Sequence, residues 1–251
     1  AIVAYLSGGD DEEPETGAAV GFQNAAAHAV LGATLRLPSS LTSPRALWEA
    51  SAAALDGVGT VPLARWDRHA VEFRSELPAK ASKTTQYGGF LSLGEDVFDA
   101  GLFRMKAVEV ASCDPQQRLL LEVGFECCAD AGLTELRDAD VGCFTGMMNS
   151  DAVALAPAAH DLNAYVMMGN GYSAAGARLS YAFALRGPCL VLDTACSSSL
   201  IAAHSARRAL THGECLRALV AAPNLLLLAG CGKRKVLRGG APTALLLLSP
   251  L

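Results

Sequence analysis

The stretch Leu190-Val191-Leu192-Asp193-Thr194-Ala195-Cys196-Ser197-Ser198-Ser199-Leu200 constrains this chain more than any other. An apolar run stops at Asp193, a Thr-Ala step follows, then a cysteine, three serines and the apolar spacing of a helix. The pattern predicts a buried strand, a tight turn and a helix whose first turn begins at or near Cys196. A sulfur there faces the unpaired N–H groups of a helix N-terminus. The positive end of the helix dipole favours thiolate over thiol. The same N–H groups can stabilise an oxyanion on a carbonyl that the sulfur attacks. The competing expectation is a small buried cysteine beside a serine N-cap.

Asp193 to Leu200 resembles the nucleophile signature of β-ketoacyl synthases, specifically the ketosynthase domains of modular polyketide synthases. The resemblance implies that Cys196 is the nucleophile and carries an acyl chain as a thioester during carbon–carbon bond formation. Its backbone N–H would be an oxyanion donor, and Thr194, Ala195 and Ser197 would be substrate-binding residues. It also implies an acyl carrier protein as partner, with the phosphopantetheine arm on that partner and no cofactor bound directly. A homodimer, or association with a fuller synthase, is expected, with strands near the nucleophile pairing across the two-fold axis.

Other segments carry the same resemblance from about Ala29 onward. Ala29 to Ala33 reads as a first strand, and Arg36-Leu37-Pro38 as the turn after it. Ser43-Pro44 is a helix start, with serine at N-cap and proline at N1; Leu47, Trp48, Ala52 and Leu55 follow at helical spacing, and Gly57 ends it. Pro62 to Trp66, Gly88 to Leu91 and Phe98 to Phe103 resemble the family's aromatic-anchor segments, with core roles. Asp114-Pro115-Gln116-Gln117-Arg118 predicts a capping box, Asp114 at N-cap and Gln117 at N3, opening a structural helix closed by Gly132. Val141 to Gly146 is a short buried strand, and Ala218 to Ala222 another. Gly169-Asn170-Gly171-Tyr172-Ser173-Ala174 fits G-x-G-x-x-A, with Asp193 at a ribose-binding distance downstream. Val166-Met167-Met168 is a poor preceding strand, however. The stretch Gly169 to Tyr181 resembles a ketosynthase segment instead, with Ala177 in place of a glycine and Gly176 in place of an alanine.

Composition narrows the function classes. The formal net charge is −5, and the only basic cluster, Lys233-Arg234-Lys235, is short, so no nucleic-acid partner is expected. The eight cysteines form no C-x-x-C pair and no Cys/His cluster with zinc spacing, so no metal is expected. No apolar run has membrane-spanning length, and no signal peptide is visible. The expected location is cytoplasmic, with a plastid as the other option. Gly232-Lys233 lacks the glycine of a Walker A motif.

The expected fold is α/β: a thiolase-like half, with a mixed sheet covered by helices and an incomplete second half. Residues 1–28 are an unassigned N-terminal segment, including a solvated loop at 7–18. Residues 29–228 form the ketosynthase N-terminal domain, and 229–251 are a divergent tail or insertion, within which Leu246 to Pro250 resembles a Leu-Leu-Leu-Ser-Pro segment that the family carries directly after the position of Asn224. The family stabilises the decarboxylation step with two histidines well beyond the nucleophile, the first in a His-Gly-Thr-Gly-Thr motif. The 251 residues contain no such motif and begin without Met, as a fragment would. His204 and His212 follow Cys196 on its own predicted helix and are poor substitutes; His160 is expected at the surface. The expected function is therefore a ketosynthase-type acyltransferase of polyketide or fatty acid biosynthesis, incomplete as a lone chain. A second class is a non-catalytic, carrier-binding interaction module. A third, a cysteine hydrolase pairing Cys196 with His28 or His69, has no support from spacing.

Overall fold

The computed structural model of the chain describes residues 28–63, 86–91, 97–133, 139–148, 150–152, 164–225, 227 and 243–250, the last stretch by backbone alone. Its elements are β1 (His28–Arg36), α1 (Pro44–Ala52), β2 (Gly59–Thr60), β3 (Tyr87–Gly88), α2 (Ala107–Ala111), α3 (Pro115–Asp130), β4 (Val141–Gly146), α4 (Ala164–Asn170), α5 (Tyr172–Ala182), β5 (Cys189–Leu192), α6 (Ser198–Thr211), β6 (Arg217–Ala222) and β7 (Thr243–Pro250). The main sheet runs β1-β7-β6-β4-β5. β6, β4 and β5 are parallel, while β7 is antiparallel to both β6 and β1.

Side-chain alternation along the two central strands builds a core on each face of this sheet. Cys143 of β4, with Leu219 and Ala221 of β6, faces α3 and α5, where Leu120, Val123, Cys127, Ala175 and Leu179 complete one buried cluster. Phe144, Ala218 and Val220 point the other way, onto Ala202, Ala206, Ala209 and Leu210 of α6. The alanine stripe of α6 lets its backbone lie close to the sheet, as its small residues predict. The result is a three-layer α/β/α arrangement, the expected mixed sheet with helices on both faces.

Two expectations change. Within 229–251, expected as a divergent tail or insertion, Thr243–Pro250 is an interior strand of the main sheet, seated between β1 and β6. Its Leu-rich, unalternating run suits a strand with neighbours on both sides. The capping box of α3 does not close. Asp114 caps the helix by accepting from Gln116 N at 2.7 Å. Its own N–H donates to the Gly169 carbonyl at 2.8 Å, and the Gln117 side chain turns away to Arg178 Nε at 2.8 Å and the Gly171 carbonyl at 3.2 Å.

Other terminal signals are seen as read. Ser43 Oγ accepts from Ala46 N, with Pro44 in the first turn of α1. Gly132 and Gly213 follow α3 and α6 with φ of 70° and 69°, the left-handed conformation that glycine adopts without penalty. α1 buries none of its residues, and Trp48 is exposed. Phe98 and Phe103 stack with ring centroids 5.3 Å apart and pack on the α3 core. The segment through Trp66, His69, His160 and the 231–235 cluster lie outside the described residues.

Gly169 is explained by packing. It lies in the last turn of a helix, α4, and Val166-Met167-Met168, where a dinucleotide fingerprint would need a strand, belong to that helix. A Cβ at 169 would sit 2.2 Å from the Ser112 carbonyl oxygen. Gly169→Ala is expected to lower stability by about 1–3 kcal/mol through this forced overlap, read as a lower urea midpoint with an unchanged slope.

Candidate active site

Cys196 lies in a single 3-10 turn, Ala195–Ser197, between the end of β5 and the start of α6. Its thiol is free and exposed, so the competing expectation of a buried structural cysteine is not met. No side chain caps α6; the backbone N–H of its first residue, Ser198, donates to the Ala195 carbonyl within the turn. The site sits at the carboxyl end of the parallel strands, where open α/β sheets place ligands.

The polar residues of the motif serve the turn itself. Ala195 has φ of 56°, a left-handed conformation that costs a residue with a Cβ about 1–2 kcal/mol. Ser198 holds it there: its hydroxyl accepts from Thr194 N at 2.9 Å and donates to the Ala195 carbonyl at 2.7 Å. Asp193 Oδ1 accepts from Ala195 N at 3.0 Å, an Asx turn. The Ser197 hydroxyl donates to the Thr194 carbonyl at 2.8 Å and lies 2.9 Å from Thr194 Oγ1. Thr194, Ala195 and Ser197, the expected substrate-binding residues, thus flank Cys196 at an exposed surface, with both hydroxyls engaged in shaping the bend. Ser198 carries the turn most directly, and its buried position distinguishes it from the two neighbouring serines.

Gly146 sets where this turn stands. A Cβ there would lie 2.5 Å from the Ser198 carbonyl carbon and 2.8 Å from Ser199 N. The bare glycine at the end of β4 lets the first turn of α6 rest directly on the strand. Met147 N donates to the Leu192 carbonyl at 3.0 Å, continuing the β4–β5 contact up to the turn.

A buried polar hub lies among the loops that follow β4 and β6. Asp114 is fully buried, with Ser150 Oγ donating to Oδ2 at 2.5 Å and Gln116 Nε2 at 3.2 Å. Gln116 Oε1 accepts from Leu225 N at 3.0 Å. Gln117 is held by Arg178, which also pairs with Glu109 at 2.5 Å. These bonds tie the start of α3 to three other segments of the chain, and a buried network satisfied in this way holds them in one arrangement.

The candidate histidine partners stand apart from Cys196. His28 Nε2 lies 3.4 Å from Thr211 Oγ1, and His212 Nδ1 2.7 Å from the Arg208 carbonyl. Both mark the C-terminal end of α6, about 20 Å along a 14-residue helix from its start. A Cys196–His28 dyad is thereby ruled out. His204 is exposed two turns into the same helix. Among the described residues no group of three or more His, Cys, Asp or Glu could hold a metal ion, and no helix is long and apolar enough to cross a membrane.

Comparison with known proteins follows the same lines. A family described as "Beta-ketoacyl synthase, N-terminal domain" matches residues 28–232. Polyketide synthase ThaG of Burkholderia thailandensis is 41% identical over 202 residues, which is 79% of this chain and 4% of that protein. Polyketide synthase GfsA of Streptomyces halstedii is 39% identical over 195 residues, 76% of this chain and 3% of that protein. The chain therefore spans a small part of these relatives. Among solved structures, the ketosynthase from module 6 of the bacillaene synthase of Bacillus subtilis 168 superimposes with a TM-score of 0.70 at 27% identity, covering 89% of this chain and 40% of that one. An oxazolomycin ketosynthase domain of Streptomyces albus gives 0.72 at 27%, covering 88% and 42%.

Native-state alkylation with iodoacetamide, mapped by peptide mass spectrometry, should label Cys196 and Cys189, the two exposed cysteines among those described. Cys113, Cys127, Cys128, Cys143 and Cys215 should stay unlabelled, since burial shields them and pushes Cys113 to about 11, Cys127 to about 12 and Cys128 to about 11. Ser198→Ala removes two buried hydrogen bonds, at a cost of about 1–3 kcal/mol. It should slow labelling of Cys196 while leaving that of Cys189 unchanged.

Proposed function

The chain belongs to the β-ketoacyl synthase family, whose N-terminal domain it carries, and from that premise we propose that Cys196 accepts an acyl group from an acyl carrier protein. The observation that carries this reading is the free, exposed thiol in a strained turn ahead of an uncapped helix. The sulfur attacks the carbonyl carbon of a phosphopantetheine thioester. The carbonyl electron pair moves onto oxygen, where the Cys196 backbone N–H and the positive end of α6 offset the charge. Collapse of that intermediate breaks the carbon–sulfur bond to the carrier arm, which leaves as a thiol, and the acyl group stays on Cys196. Thr194, Ala195 and Ser197 form the wall against which the acyl carbonyl comes to rest. The phosphopantetheine arm belongs to the partner, and this domain needs no resident cofactor for the step.

In a ketosynthase the acyl group then joins a carbanion released by decarboxylation of a second thioester. The family assigns that step to two histidines, and the His-Gly-Thr-Gly-Thr motif of the first does not occur in these 251 residues. The residues of this site account for the acyl-accepting step of that condensation. Self-association is part of the same proposal, supported by the place of β5 as an edge strand of the main sheet.

Incubation with an acyl-carrier thioester, followed by intact-mass analysis, tests the reading. The expected result is one acyl adduct per chain, lost in Cys196→Ala. A chain that binds the carrier without becoming acylated would be an interaction module instead. An acyl adduct that persists in Cys196→Ala would overturn the assignment of the nucleophile.

A further inference from the structure

Among the described residues, β5 has β4 on one side and no strand on the other. Successive residues of a strand turn their backbone N–H and C=O to alternate sides. The carbonyls of Pro188 and Leu192 accept from Cys143 N and Met147 N, at β4 and just beyond it. Cys189 and Val191 therefore turn their backbone groups to the open edge. A second copy that pairs there about a two-fold axis must run antiparallel. Gly187 N and Ala195 N are already held by the Val141 carbonyl and by Asp193 Oδ1. That leaves two registers, centred on Leu190 or on Val191.

The two registers agree on what meets the nucleophile. With the axis at Leu190, Arg186 of one copy lies opposite Thr194 of the other; with the axis at Val191, it lies opposite Cys196. Arg186 is exposed, and so is every residue from Asp193 to Ser197. Leu190 and Leu200, on the edge strand and in the first turn of α6, are exposed apolar residues beside them. The pairing is centred several residues before the sulfur, so the turn lies at its end and not beneath it.

The turn carries a negative charge and little to offset it. Asp193 supplies the carboxylate that accepts from Ala195 N at 3.0 Å, and residues 187–206 contain no Lys or Arg. α6 brings His204, two turns from its start, and Arg207 and Arg208 farther along. Of the strands packed against α6, β4 brings only Cys143 and β5 only Cys189, both on the α5 face. β6 brings only Arg217, at its opposite end, and β7 nothing titratable.

We propose that Arg186 is a positioning residue that acts across the two-fold axis: the partner subunit's Arg186 pairs with the Asp193 carboxylate and secures the Cys196 turn. The inference rests on the self-association proposed above. A planar guanidinium suits a carboxylate that already holds one backbone N–H, because it meets the remaining lone pairs in a fixed fork. Its positive charge offsets that of Asp193 beside the sulfur and favours the thiolate over the thiol. Each copy thus completes the other's site.

The rate of Cys196 alkylation by iodoacetamide, followed against pH by peptide mapping, tests this without an acyl substrate. Arg186→Ala should slow labelling about three- to tenfold near pH 7 and move its midpoint up by about one pH unit. Arg186→Lys, which keeps the charge, should retain most of the unaltered rate. Should Arg186→Ala not fold, Arg186→Gln takes its place. Exchange of the slow variant with an excess of Cys196→Ala chain should restore the fast rate, because each remaining Cys196 then faces the partner's Arg186. Sedimentation reads the state of each sample. An unaltered chain that stays monomeric overturns the pairing and this inference together. A dimer in which loss of the Arg186 charge leaves rate and midpoint unchanged, or in which exchange fails to restore them, overturns this inference alone.

Discussion

The position of Cys196 depends on a contact between two pieces of backbone. The end of β4 meets the first turn of α6 at Gly146, with no room for even a methyl group between them. Because that approach is so close, α6 begins at the carboxyl end of the parallel strands rather than above it. β5 must then reverse direction within a few residues to enter the helix. The left-handed Ala195 is the consequence, and Ser198, pinned under the turn, supplies the two hydrogen bonds that hold it. Strain of this kind persists only where its surroundings over-determine it, and the glycine contact and the serine bonds are those surroundings.

The layers on either side make that contact rigid. Phe144, between Cys143 and Thr145 on β4, belongs to the α6 core, while Cys143 belongs to the α3/α5 core. Shifting β4 by one residue would exchange these faces. The hub at Asp114, Gln116 and Gln117 joins the start of α3 to Ser150 and Leu225, in the loops after β4 and β6. Bonds of this kind favour one arrangement of loops over its alternatives. The sheet ends nearest the Cys196 turn are thereby held by hydrogen bonds as well as by apolar packing.

Much of the fold is legible locally. β4, β6 and α6 emerge where apolar periodicity and helix-end residues place them, because those signals act over a few residues; β5 emerges there too, but as an edge strand with Cys189 and Leu190 exposed rather than the buried strand its apolar run predicts. The extent of α3 and its N-cap are legible in the same way, but the role of Gln117 is not. A glutamine at N3 can close a capping box, yet Arg178, 61 residues away, offers it a charged partner. Leu246 to Pro250 of β7 carries the family's Leu-Leu-Leu-Ser-Pro pattern, but the departing residues before it hide its place in the sheet. Whether a Leu-rich run joins a sheet depends on a gap between β1 and β6 that no local signal reveals.

At the site, the nucleophile, the strand–turn–helix around it and the family they belong to are written in the chain. Eight contiguous residues suffice, because a turn of that shape needs its own side chains to satisfy its own backbone. Packing supplies the remainder: Ser198 rather than its neighbours holds the bend, His28 lies at the far end of α6, and Cys143 stands opposite Cys189. Each of those outcomes depends on strand register and on backbone approach across elements distant in sequence, and such distances are set when layers pack.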